Sequence, residues 1–156
     1  MNKLALQLFL VLALSGNFVL SQELGPKTMV ISLDDLPFAG GLLAHHGNDA
    51  AWIQKRTDIL LSTLNAEEVP AIGFVNESKL LVSHELDARV AVLAKWLDAG
   101  MDLGNHTFSH LSLSKVTPQE FEADILRGEM VTRWLLKERM KDLRFFRYPF
   151  NHRGPS

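Results

Sequence analysis

Three short segments of the chain carry side chains that can bind a metal ion or move a proton. ISLDD contains Asp34 and Asp35, and HTFSH contains His106 and His110. RYPF begins with Arg147. Carboxylates and neutral imidazoles are common ligands of divalent metals in proteins, and arginine is a permanent cation that can hold a carboxylate in place. These residue types suit a site that combines a metal, a base and a fixed positive charge.

The two aspartates directly follow a β-prone apolar run at residues 29–33. Parallel sheets place their reactive groups at this end of a strand. Adjacent residues in extended backbone point in opposite directions, so Asp34 and Asp35 can hold different roles. The alternative is that both acids only cap a turn, which is a frequent use of aspartate.

The two histidines are four residues apart, a spacing that sets both imidazoles on one side of a helical turn. The alternative for His106 and His110 is an ordinary pair of surface or packing histidines. Arg147 precedes Pro149, which fixes the following turn. The alternative for Arg147 is an ordinary exposed arginine at the end of an edge strand.

The elements that must position these residues alternate between short apolar runs and longer amphipathic stretches. We predict strands at residues 29–33, 71–75, 101–104 and 143–147. We predict helices over residues 49–65, from a cap at Ser83 to Gly100, and from a capping box at Thr117 to about Met140. Such alternation is typical of an α/β fold with β/α units around a parallel sheet.

Composition narrows the possible functions. The chain has 156 residues, 47% hydrophobic and 22% charged, which fits one globular domain. A net charge of −2 offers no basic field for nucleic acid, so we expect no nucleic-acid partner. The sequence has no cysteine, which excludes disulfides and thiolate ligands. Any metal must therefore be held by His, Asp or Glu.

Residues 1–21 have the pattern of a secretory signal peptide. Lys3 provides a positive start, an apolar stretch follows, and Val19 and Ser21 form a small-residue cleavage pattern. The alternative is an uncleaved anchor, but the apolar stretch is short for the ~20 residues that a spanning helix needs. We therefore expect export to the periplasm, cell surface or exterior, with no stable membrane insertion after cleavage.

ISLDD, HTFSH and RYPF, taken in this order, resemble the motifs of the polysaccharide deacetylase, or NodB homology, family, also called carbohydrate esterase family four. The resemblance covers residues 28–154, and we assign residues 28–156 to one domain of this type. It implies a distorted parallel β/α barrel, present here as a partial barrel of about four β/α units. It also implies removal of acetyl groups from an N-acetylated polysaccharide, with O-acetylated glycans as a second substrate class.

The resemblance assigns a role to each candidate residue. Asp35, His106 and His110 would hold a divalent metal, with zinc as the default and cobalt, nickel or manganese also compatible. Asp34 would be the general base that deprotonates a water activated by the metal. Further roles fall to the RYPFN segment: Arg147 would orient Asp34, and the backbone N–H of Phe150 would help to hold the oxyanion.

The family has later motifs, including a histidine that acts as general acid, with no counterpart before Ser156. We therefore expect a C-terminally truncated form, and the alternative function is a noncatalytic or weakly active glycan-binding remnant. His45, His46 and His152 are possible substitutes for the acid, without support from spacing. A phosphatase is a third possibility, but that chemistry needs acids two residues apart, and Leu36 occupies the position.

Overall fold

The structure is a computed structural model that describes residues 29–38 and 49–154. The predicted signal peptide and the residues His45 and His46 lie outside these ranges, so what the sequence indicates for them stays a prediction. Within the two ranges, no helix is long and apolar enough to cross a bilayer.

A three-stranded parallel sheet forms the centre of the described fold. Its strands are β1 (Ile31–Leu36), β2 (Ala71–Val75) and β3 (Asp102–Asn105), in the order β1-β2-β3. Gly73 pairs with Leu33 on one side and Leu103 on the other. This register confirms the predicted parallel arrangement, and it brings the carboxyl ends of all three strands to one edge of the sheet.

Helices connect and cover the strands. In the part of the chain that the structure describes, the α-helices are α1 (Ala50–Ala66), α2 (Leu86–Asp98), α3 (Pro118–Arg127) and α4 (Met130–Lys137), and short 3-10 helices lie at Glu77–Leu80 and Pro149–Asn151. Helices α1, α2 and α4 pack with the sheet around one apolar core. Its fully buried members come from β2, β3, α2, α4 and the first 3-10 helix, and they are Val75, Leu80, Leu93, Trp96, Leu103 and Leu136.

The beginnings of the helices test the predicted caps. Asp49 accepts a hydrogen bond from the Trp52 N–H at 2.8 Å and starts α1 as expected. Ser83 was the wrong cap for α2, because the helix begins at Leu86 after Glu85. The Glu85 carbonyl accepts the first helical hydrogen bond, from the Arg89 N–H, and the Glu85 carboxylate pairs with the Arg89 side chain. The contacts that stabilise the beginning of the helix are therefore at Glu85 and not at Ser83.

The apolar stripe predicted for α2 is partly confirmed. Leu93 and Leu97 are buried and Val90 packs against the core, but Leu86 is exposed. Gly100 follows the helix with a φ of +83°, the left-handed conformation expected of it.

The helix that starts at Thr117 is interrupted earlier than predicted. Thr117 and Glu120 form the expected capping box. The prediction of one helix to Met140 was wrong, because α3 ends at Arg127 and α4 begins at Met130. Between them lies Gly128, where an added Cβ would lie 2.5 Å from both the Phe108 nitrogen and the Thr107 carbonyl carbon. Close packing against residues 106–110, the histidine loop, thus accompanies the break. The apolar periodicity of the helix does not indicate it.

Two predicted strands also need correction. β1 does not stop before the aspartates but includes both, with a register shift between Leu33 and Leu36 and a left-handed φ of 70° at Asp35. This bulge lets the strand continue to Leu36. The fourth strand, predicted at 143–147, is reduced to one parallel bridge between Asn105 and Phe146.

Gly128→Ala tests the close approach behind the helix break. Alanine is favoured over glycine near a helix by about 1 kcal/mol, and φ at Gly128 is an ordinary −82°. The contact with the loop backbone should outweigh this preference for alanine, so that the substitution lowers the free energy of unfolding by about 3 kcal/mol. Urea denaturation measures the change.

Gly100→Ala serves as the comparison, because nothing lies within 4 Å of its added Cβ and only backbone strain of about 1 kcal/mol applies. A Gly128→Ala protein as stable as the parent would show that helix and loop do not meet as described.

Candidate metal centre

Three potential metal ligands meet at the carboxyl edge of the sheet. Asp35 Oδ1 lies 3.4 Å from His110 Nε2 and 4.0 Å from His106 Nε2. One ligand atom from each residue falls within 4.8 Å of the other two. Ligand atoms that each lie about 2 Å from one ion must lie within about 4 Å of one another. A small side-chain adjustment therefore brings all three into reach of a single cation.

The environment of Asp35 fits a metal ligand. Its Oδ1 atom is buried, and the described residues give it no hydrogen-bond partner. Lys79 Nζ lies 3.2 Å away, within ion-pair range but outside hydrogen-bond geometry. A buried carboxylate oxygen normally accepts a hydrogen bond, so Oδ1 has acceptor capacity that a metal could use beside the ion pair with Lys79. Two imidazole nitrogens and one carboxylate oxygen suit zinc, cobalt, nickel or manganese.

His106 is fixed from its far side. Its ring is 2% exposed, and Nδ1 lies 2.8 Å from the backbone carbonyl oxygen of Arg147. A carbonyl can only accept, so Nδ1 carries the hydrogen and donates it. In the neutral ring this tautomer leaves the Nε2 lone pair on the side of Asp35 for a metal. This is the usual way in which proteins orient a ligating histidine.

Burial favours the neutral form of His110. Burial lowers the pKa of this imidazole below its usual 6.5, against the opposing effect of the Asp35 carboxylate and with a smaller lowering from His106. Neutral imidazole is the form that binds metal. The Phe150 ring packs edge-on against the His110 ring, with centroids 4.5 Å apart, and so limits its rotation.

The histidine loop does not form the predicted helical turn. Thr107 and His110 have left-handed φ values of 64° and 58°, and residues 106–110 contain no helix. Side chains and backbone from elsewhere replace the helical hydrogen bonds. Asn105 Oδ1 accepts from the Thr107 N–H at 2.7 Å, and Asp124 Oδ2 accepts from the Ser109 N–H at 2.9 Å. The imidazoles converge because of this loop shape and not because of helical spacing.

Asp34 has a different partner from Asp35. One guanidinium nitrogen of Arg147 donates to both Asp34 carboxylate oxygens, at 3.0 and 3.3 Å. The guanidinium also lies 4.8 Å from the centre of the Phe74 ring, which steadies it by a cation–π contact. The Asp34 and Arg147 side chains are 40% and 38% exposed, so water can reach the pair. The two adjacent carboxylates thus have different partners: Asp34 pairs with Arg147, whereas Asp35 faces the imidazoles.

The other residues of RYPF, and His152 shortly after it, make contacts of their own. Phe150 has a left-handed φ of 57°, and it is 58% exposed apart from the contact with His110. Tyr148, which has no assigned role, packs on Phe121 with ring centroids 5.8 Å apart. His152 Nδ1 lies 2.7 Å from Ser112 Oγ, and its ring is next to Phe150.

The segment after β2 supports the site, although the sequence patterns did not predict it. Asn76 Nδ2 donates to the carbonyl oxygens of His106 and Thr107, at 2.6 and 3.2 Å. Glu77 is buried and accepts from the N–H groups of Val131 and Thr132 at the start of α4. The rule that drew attention to the aspartates, that polar residues follow strands at the carboxyl edge, applies equally to Asn76 and would have found it.

Comparison with known protein families decides the assignment. The sequence model of the family described as "Polysaccharide deacetylase" matches residues 21–153. The chain belongs to the polysaccharide deacetylase family. No curated protein sequence matches it significantly. The matched range includes both the strand that carries the aspartates and the RYPF segment.

Solved structures of this family share the fold. A peptidoglycan deacetylase from Bacillus subtilis is 20% identical with a TM-score of 0.56, over 82% of this chain and 52% of that one. A family 4 acetyl xylan esterase from Clostridium thermocellum in complex with a cobalt ion is 20% identical with a TM-score of 0.55, over 81% and 50%. A CE4 family pseudoenzyme from Bacillus anthracis is 14% identical with a TM-score of 0.59, over 81% and 37%.

These likenesses confirm the predicted partial barrel. The chain spans about half or less of the length of the three proteins. They include a protein described as a deacetylase and another described as a pseudoenzyme, so shared fold alone does not decide whether a member of this family is active.

Asp124→Ala tests whether α3 holds the histidine loop. The change leaves the Ser109 N–H without its acceptor, which should lower the free energy of unfolding by about 2 kcal/mol and weaken zinc binding. Asp124→Asn keeps an oxygen in place and should recover most of both. Denaturant titration and zinc titration give the two values. Asp142→Ala, an exposed acid paired with Lys137, is the control and should change neither. Equal losses in the alanine and asparagine variants would refute the role of that oxygen.

Proposed function

We propose that this chain carries the site of a metal-dependent hydrolase that removes acetyl groups from an N-acetylated polysaccharide. The observation that supports it most is the convergence of Asp35, His106 and His110 on one point, with a second carboxylate held separately beside them. The ligands would be these three side chains, and zinc is the first candidate. Family membership supplies the reaction class and the acetylated glycan as substrate.

The two aspartates of the centre would have different roles, Asp35 as a metal ligand and Asp34 as the base. A divalent ion bound by the three ligands would polarise the acetyl carbonyl and make a nearby water more acidic. Asp34 would accept the proton of that water, since its carboxylate is accessible to solvent. Arg147, whose guanidinium donates to both oxygens of that carboxylate, keeps Asp34 oriented. The Phe150 N–H would donate to the developing oxyanion.

Release of acetate should depend on the three ligands. We expect the purified chain with zinc or cobalt to release acetate from N-acetylglucosamine oligomers. His106→Ala, His110→Ala and Asp35→Ala should each lose metal binding and acetate release together, because each removes one of the three proposed ligands. Calorimetric zinc titration and an enzymatic acetate assay measure the two properties. His84→Ala, an exposed histidine outside the cluster, is the matched control. Acetate release that survives all three ligand changes would exclude this site.

The base can be tested apart from the metal. Asp34→Asn should leave zinc affinity within about twofold of the parent, since Asp34 is no ligand, while kcat should fall by ~10²–10⁴ as expected for loss of a general base. The same titration and assay provide both numbers. Strong loss of zinc affinity in Asp34→Asn would assign this carboxylate to the metal instead.

A glycan-binding remnant is the second candidate function. One of the structural relatives is described as a pseudoenzyme, so this fold can exist without activity. In that case the parent chain would bind zinc and acetylated oligomers without releasing acetate. The substrate-binding and acetate measurements on the same preparation distinguish the two candidates.

A further inference from the structure

Lys79 places a second cation at the carboxylate proposed to bind the metal. Its ammonium lies 3.2 Å from Asp35 Oδ1, the oxygen that faces both imidazoles. The same ammonium donates to the backbone carbonyls of Asp35, at 3.3 Å, and Phe38, at 3.4 Å. Three oxygens, two from Asp35 near the end of β1 and one from Phe38 just after it, therefore lie within 3.4 Å of one lysine nitrogen.

The backbone of Lys79 is held firmly, whereas its side chain has room to move. The Lys79 N–H donates to the Asn76 carbonyl, and Arg89 donates to the Lys79 carbonyl at 3.2 Å. The Lys79 side chain is 31% exposed and ends in a flexible stem of four carbons. The ammonium can thus turn from Oδ1 towards solvent.

A divalent ion and this ammonium cannot share Asp35 without repulsion. Any ion within bonding distance of Oδ1 would lie only a few ångströms from a lysine nitrogen that is itself 3.2 Å from that oxygen. Even with the dielectric constant of water, charges of +2 and +1 at about 5 Å repel by enough to change a dissociation constant about tenfold. Lys79 and the metal therefore oppose each other at a single carboxylate.

We propose that Lys79 is a built-in competitor of the metal: its ammonium neutralises Asp35 when the centre is empty and weakens the affinity for a divalent ion. The inference rests on the proposed function, in which Asp35 is a metal ligand. It adds a residue that sets metal affinity without being a ligand. Removal of the charge should destabilise the metal-free protein, because Asp35 loses its counter-ion. It should stabilise the metal-bound protein, because the repulsion between the ammonium and the metal is removed.

The test measures metal affinity and not catalysis. The full chain and four variants, Lys79→Gln, Lys79→Met, Lys79→Arg and Lys95→Gln, are titrated with zinc against a competing chelator. Lys79→Gln and Lys79→Met should bind zinc about tenfold more tightly than the parent. Lys79→Arg keeps the charge and should stay within about threefold. Lys95 pairs with Asp58 on the helical surface, so Lys95→Gln should bind like the parent.

Thermal melting tests the competitor role of Lys79 independently. In excess chelator, Lys79→Gln should melt below the parent, and saturating zinc should raise its Tm by more than it raises that of the parent. Equal or weaker zinc affinity in both Lys79→Gln and Lys79→Met, with normal binding by the parent, would overturn the competitor role alone. No zinc binding by any of the five proteins would overturn the metal centre and this inference together.

Discussion

Parallel hydrogen bonding between neighbouring strands determines where the candidate site can form. The ladder continues past the named strands: the Asn76 N–H donates to the Leu36 carbonyl, and the His106 N–H donates to the Val75 carbonyl. These bonds bring the residues that follow each strand into one row. Since all three strands run the same way, a carboxylate from the first and an imidazole from the third meet at one edge although they are about 70 residues apart in sequence.

The row of polar residues is supported by buried hydrogen bonds and not by apolar packing alone. Asn76, Asn105 and Asp124 are buried, and each bonds backbone groups of the histidine loop or of the helix beside it. An unsatisfied buried polar group costs about 1–3 kcal/mol, so each such pair specifies one arrangement strongly. The left-handed backbone of Thr107 and His110 adds strain that this network offsets.

Local signals predicted local features well, whereas features that depend on distant contacts were not predictable in the same way. The capping box at Thr117 and the start of α1 near Asp49 each depend on a few neighbouring residues, and both were predicted from the sequence. The types of the candidate ligands were equally readable, but their convergence could only be inferred by likeness to a family. Gly128 follows α3 beside loop residues about 20 positions earlier, so a window on the helix sees nothing unusual. Lys79 meets Asp35 across 44 residues, and a lone lysine in a polar stretch carries no signal.

Arg147 makes its two contributions through different parts of one residue. Its guanidinium holds Asp34, and its main-chain oxygen holds the ring of His106. Replacing the side chain changes only the first of these, so an alanine scan will undercount the importance of this position. Any backbone shift along RYPF will instead disturb both aspartate and histidine at once, which makes the segment a poor place for insertions when the domain is redesigned.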